Sequence, residues 1–188
     1  MPRLTEANRA AKRAEILAAA RRCFARDGFH QTAMPDIARE AGVSVGAPYR
    51  YFASKEELIL ELAGEAFTAI FDPIVATAEP AGVADLVADA ISTTPAGELL
   101  RCAVQAWSEL LINDAVGERA LAGFENVRLR LADVLRRGQN AGTVPLTIDP
   151  ERGARVIMAL LHGFLLQRVA FGLDDVAGFV AAVRAMLK

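Results

Sequence analysis

Histidine, cysteine and tryptophan are scarce in this 188-residue chain, which holds two, two and one of them. His30 and His162 lie far apart, and Cys23 and Cys102 each stand alone inside an apolar helical pattern. No paired-cysteine or His-x-x-x-His spacing is present to hold zinc, so no metal is expected. The two thiols read as buried and free, the usual state in a reducing compartment. No glycine-rich loop follows a strand, which speaks against a nucleotide-binding turn, and no serine stands in a nucleophile elbow. The expectation is a protein that is not an enzyme, with no catalytic residue and no cofactor. No apolar run approaches the ~20 residues of a membrane span. No charged-then-apolar signal segment opens the chain. A cytoplasmic protein with no membrane partner is expected.

What the chain does have is apolar and helical. Hydrophobic residues make up 53% and charged residues 23%. That suits a packed protein with one core or two unequal ones. The net charge is −2, but its distribution is uneven. Residues 1–60 carry ten Lys/Arg and seven Asp/Glu, whereas residues 61–188 carry eleven and sixteen. A basic front on an acidic body suggests that only the front meets an anionic polymer.

Helical spacing of apolar residues recurs along the whole chain, and no strand signal has weight. A first helix is expected from about Arg9 to Arg26, after a short arm with Pro2 and Arg3, and Asp27-Gly28 ends it. A second begins between Thr32 and Asp36, with Thr32 as its cap and Pro35 in its first turn. A third is short, about Val45 to Phe52, with Ser44 as cap. A fourth starts after Ser54, with Glu56 and Glu57 in its first turn, and ends near Pro73. Further helices are expected over Val83–Ser92, Pro95–Asn113, Asp114 or Gly117 to about Asn140, Pro150–Phe171 and Asp175–Leu187. Asp149 followed by Pro150 is a strong start signal, and Gly172 a stop. The fold class is all-α, divided into a helix-turn-helix domain at 1–58 and a larger helical domain at 59–188.

Residues 36–58 carry the most information. Ala38 and Ala41 are small enough for two helices to cross, Gly42 accepts a turn, and Val43 plugs the junction. Pro48 and Phe52 lie four residues apart and so share one face, which is placed inward. Gly46, Ala47 and Arg50 then point outward, flanked by Tyr49, Tyr51 and Lys55. This is a helix-turn-helix, which lays a short helix in the DNA major groove.

Gly28-Phe29, Thr32, Asp36-Ile37-Ala38, Ala41-Gly42-Val43-Ser44, Gly46, Tyr49-Arg50-Tyr51-Phe52 and Ser54-Lys55-Glu56-Glu57-Leu58 closely resemble the N-terminal signature of TetR-family regulators. The likeness covers about residues 10–60. Beyond it, the chain resembles the family in its helical character and in the stretch from Gly142 through Asp149-Pro150 to Gly163 and Gln167. The resemblance implies a homodimer that binds a roughly palindromic double-stranded DNA operator and releases it when a small-molecule effector enters the larger domain. It implies phosphate contacts from Thr32, Tyr49, Tyr51 and Lys55, and an approach to bases by Val45, Gly46, Ala47 and Arg50. Two residues depart from the pattern. Pro48 stands where the family usually has a branched apolar residue, and it removes one early backbone bond. Pro35 replaces a residue that often reaches DNA. Arg50 is thus the only long donor on the reading face, while Val45 and Ala47 can touch thymine methyls only.

In the larger domain, Phe67, Phe71, Trp107, Leu111, Phe124 and Met158 are candidates to line a ligand pocket, with His162 and Gln167 as its polar members. The plain alternative is that each belongs to the core. The few polar groups point to an apolar or amphipathic effector. The resemblance implies a four-helix dimer bundle built from residues 117–140 and 150–171. Leu131, Leu135, Val156, Leu160 and Phe164 would fill its seam and Gly163 would allow close approach; the alternative is that they cover only the protomer's own core. A second reading of the whole chain is a helical small-molecule-binding protein, or a bundle enzyme, without DNA function.

Overall fold

The computed structural model describes residues 6–77, 80–94 and 96–187. Among these residues are eight α-helices, one short 3-10 turn and no strand. The arm with Pro2 and Arg3, and the expected helix start at Pro95, lie outside the described residues.

Helix α1 (Glu6–Asp27) buries Ile16, Leu17, Ala20, Cys23 and Phe24, the stripe that the spacing predicts. It stops where Gly28 turns to φ +88° and donates its N–H to Phe24 O at 3.0 Å. Helix α2 (Met34–Glu40) is capped at Ala33, not at Thr32. The Asp36 carboxylate accepts the Ala33 N–H at 3.0 Å. Thr32 is buried instead, and its hydroxyl donates back to Gly28 O at 2.8 Å. At the other end Gly42, with φ +65°, donates to Arg39 O, and Val43 donates to Ala38 O at 3.0 Å. Those two bonds close the last turn on orphan carbonyls, a geometry that glycine adopts at little cost.

The expected α-helix over Val45–Phe52 is not formed. Its place is taken by a 3-10 turn, Pro48–Arg50. Ala47, Arg50 and Tyr51 donate to carbonyls three residues back, and Phe52 alone returns to the one four back, Pro48 O. Proline explains the tightening. It has no N–H, and in an α-helix its ring would press on the carbonyl of Ser44, four residues earlier.

Helix α3 (Lys55–Val75) opens on Ser54, whose hydroxyl accepts the Glu57 N–H at 3.3 Å. Then follow α4 (Val83–Thr93), α5 (Glu98–Ile112), α6 (Asp114–Ala141), α7 (Pro150–Phe171) and α8 (Val176–Met186). The Asp149 carboxylate caps α7 by accepting the Arg152 N–H at 2.8 Å, and Gly172, at φ +67°, closes it. Against the expectation of no apolar stretch near a span's length, α7 is long and apolar enough to cross a membrane by length and composition. Its apolar residues recur at helical period rather than as one run. Ala154, Ile157, Met158, Leu161, Phe164 and Leu165 are buried, so the helix packs inward by one apolar face, and a third of its apolar window is buried.

The chain packs as two compact units. The N-terminal unit comprises Met1–Glu65 and Ala96–Gly117, and the C-terminal unit Ala66–Pro95 and Glu118–Lys188. This packing division differs from a cut at residue 58, because α5 packs on α1. Ile16, Ala20, Phe24, Ile37, Phe52, Leu58 and Leu62 form the N-terminal core together with Cys102 and Ala106 of α5. Both cysteines are buried and free, and burial pushes the Cys102 thiol up to about 12. In the C-terminal unit α4 packs on α7 and α8. Gly138 passes so close to Val144 and Pro80 that a Cβ there would meet Val144 Cγ2 at 2.5 Å. Arg128, mostly buried, pairs with Glu125 and Glu151, and Glu151 pairs in turn with Arg136.

Candidate nucleic-acid interface

Pro48 and Phe52 face inward and are buried, as their spacing implies. Arg13 of α1 lies 4.5 Å over the Phe52 ring and forms a two-pronged ion pair with Glu61. These contacts seat the 3-10 turn against α1 and α3. On the outer side Val45, Gly46, Tyr49 and Arg50 are exposed, while Ala47 and Tyr51 are half-buried.

Beside the turn is an open depression of about 420 Å³, lined by His30, Thr32, Tyr49, Ser54 and Lys55 among others. Thr32 brings no free hydroxyl to it, because that group is used on Gly28 O. Lys55 lies 4.2 Å over the Phe29 ring and donates from Nζ to Phe29 O at 2.8 Å. An ammonium has three donors, so this bond leaves two for an anion.

The basic surplus of the front is largely spent within the protein. Arg22 and Arg26 hold Glu40 at 2.6 and 3.3 Å, which keeps that carboxyl below its usual range. Lys12 pairs with Glu15, Arg21 with Glu98 and Arg39 with Asp36. Among the described residues up to position 60, the basic side chains outside an ion pair are Arg9, Arg50 and Lys55. Arg50 is exposed on the outer side of the turn, with the five donors of its guanidinium outside any ion pair.

Two residues on α5 complete this unit, and nothing in their local sequence marks them. Gln105 accepts the Phe29 N–H at 2.8 Å and donates to Phe24 O at 3.0 Å, so it brackets the link between α1 and α2. One turn on, Glu109 faces His30 at 3.3 Å. These contacts join residues more than seventy positions apart, beyond any local periodicity.

This arrangement can be set beside known proteins. Residues 16–62 match the model of the bacterial regulatory proteins of the tetR family. Residues 80–188 match that of the C-terminal domain of the BetI-type transcriptional repressors. The chain belongs to the TetR family. It is 28% identical to the HTH-type transcriptional regulator UidR of Escherichia coli K12, over 93% of this chain and 90% of that one. Among solved structures, Salmonella enterica GusR matches with a TM-score of 0.80 at 29% identity, covering 99% of this chain and 97% of the other. A transcriptional regulator from Saccharomonospora viridis in complex with choline matches with a TM-score of 0.74 at 25% identity, over 94% and 95%. As a TetR-family member this protein is a ligand-responsive, DNA-binding transcriptional regulator, and the relatives that it matches are regulators rather than enzymes.

The regulator's other candidate residues fall in different places. In the C-terminal unit Phe67, Phe71, Phe124 and His162 come together, with the imidazole 6.0 Å from each phenylalanine ring. Burial pushes His162 down to about 4, so it is neutral at physiological pH. Met158 is fully buried nearby in the same helix, and Gln167 is exposed. Trp107 and Leu111 belong to the N-terminal unit, on α5, and are 46% and 87% exposed. Leu131, Leu135 and Phe164 are buried in their own unit and present no surface to a second copy. Val156 is exposed, Leu160 and Gly163 are half-buried, and a Cβ added at Gly163 would meet nothing within 4 Å.

Proposed function

We propose that this TetR-family regulator is a cytoplasmic repressor. In this reading it binds a roughly palindromic operator as a homodimer and releases it when a small apolar or amphipathic molecule enters the C-terminal unit. The observation that carries the DNA part is Arg50, an exposed guanidinium outside any ion pair at a position that approaches bases in the family. Phosphates supply most of the affinity through Tyr49, Tyr51 and Lys55, with Thr32 holding their surroundings. Arg50 and DNA shape supply the specificity, since Val45, Gly46 and Ala47 offer no hydrogen bond to a base edge.

For the effector site, the supporting observation is the ring cluster of Phe67, Phe71, Phe124 and His162. Three phenylalanine faces and an uncharged imidazole attract an apolar body or a quaternary ammonium head. Choline in the Saccharomonospora viridis relative supports the amphipathic choice. Phe67 and Phe71 share α3 with Lys55, so one continuous helix carries both a ligand-facing and a DNA-facing residue. For the dimer, Val156, Ala159, Gly163 and Leu166 on α7 are open or half-open at alternating spacings of three and four, the pattern of a helix–helix seam.

A gel-shift titration with the DNA flanking the protein's own gene tests the proposal. The flanking DNA should be retarded, and small amphipathic molecules with a quaternary ammonium head, choline first, should restore free DNA. Folded protein that leaves the flanking DNA unshifted contradicts the operator. A shift that no amphipathic molecule reverses contradicts the effector class.

A further inference from the structure

One buried acid is left over by the core and by the interface described so far. Glu109 is 4% exposed, and its Oε1 has no hydrogen-bond partner among the described residues. Burying an unpaired carboxylate is costly. The group placed to offset that cost is His30, whose Nε2 lies 3.3 Å from Oε1, close enough for an ion pair though not aligned as a hydrogen bond. The His30 side chain is 64% exposed, so the pair is sealed at one end and open at the other. The open end lines the depression shared with Tyr49 and Lys55.

We propose that His30 is a further contact to the phosphodiester backbone of duplex DNA, made through its imidazole, and that Glu109 is the positioning residue that holds the ring there. The groups facing His30 are few. Glu109 approaches from α5, Lys55 and Glu56 line the depression from α3, and Tyr49 lines it from the 3-10 turn. The Phe29 ring meets the imidazole edge-on at 5.4 Å, and the Lys55 ammonium is drawn onto Phe29 O. A phosphate entering the depression meets the open end of the imidazole, whose Nε2 is turned to Glu109. The inference rests on the DNA-binding reading and adds to it a residue.

The test is a binding titration on a short random-sequence duplex, since phosphate contacts are blind to sequence. Wild type, His30→Gln and Glu109→Gln are compared over a salt series at about pH 6. Thermal melts accompany them to show that each variant is folded. At about pH 6 the wild type should bind more tightly than His30→Gln, with a salt slope steeper by about one per subunit. Glu109→Gln keeps the shape of the side chain, and it should lose part of the salt slope that separates the wild type from His30→Gln. A His30→Gln protein with the salt slope of the wild type overturns the contact. A Glu109→Gln protein with the salt slope of the wild type overturns the positioning role. A wild type that binds no duplex overturns the DNA-binding reading beneath both, which is a separate failure.

Discussion

His162 shows how burial sets the chemistry of a single side chain. Packed among Phe67, Phe71 and Phe124, its imidazole is pushed down to about 4, against roughly 6.5 in an unfolded chain. Between those values the unfolded state binds more protons than the folded one. This contribution to stability is therefore complete above about pH 6.5 and is lost as the pH falls toward 4. Denaturant titrations should show the wild type losing up to about 3 kcal/mol across that window from this group, and His162→Phe should lack that part of the slope. Equal pH slopes in the two proteins contradict a neutral, buried His162. At the same scale, the sequence marks Arg50 as the one long donor on the reading face, and the structure adds why it stays available. The arginines of α1 and α2 between positions 12 and 40 are held by Asp27, Asp36, Glu40, Glu61 and Glu98.

The element that differs most from its expected form is the reading segment. Spacing alone reads Val45–Phe52 as a helix, because Pro48 and Phe52 fall on one face and both are indeed buried. Spacing does not register the missing N–H, and the result is a 3-10 turn over Pro48–Arg50. Replacing Pro48 with Leu returns a donor and removes the ring. Pro48→Leu should extend helical bonding across residues 48–52, seen as slowed amide exchange at Tyr51 and Phe52. Unchanged exchange would mean that something other than proline tightens the turn. The long helices were legible because their ends carry local chemistry. Asp149 and Pro150 open α7, and Gly172 closes it. Thr32 misled for the same local reason. It is a good cap by type, but its hydroxyl found Gly28 O, and Asp36 capped the helix from inside.

At the scale of the molecule, the sequence carries the class of fold and the identity of the DNA-reading end, but not the company that distant helices keep. Gln105 and Glu109 are unremarkable within α5, and only the packing of α5 on α1 brings them to Phe29 and His30. The proposed dimer seam is another long-range property. Periodicity treats Leu131, Leu135, Phe164 and Val156 alike, whereas folding buries the first three and leaves Val156 exposed. Val156→Glu should therefore shift light scattering from dimer to monomer while leaving the helical signal unchanged. A persistent dimer would place the seam elsewhere. The central claim is that Arg50 reads bases while its neighbours hold phosphates. It is tested most directly by titrating wild type and Arg50→Ala against the DNA flanking the gene and against a random duplex. The account predicts a loss of ~1–3 kcal/mol on the flanking DNA and little on the random duplex. An equal loss on both contradicts it.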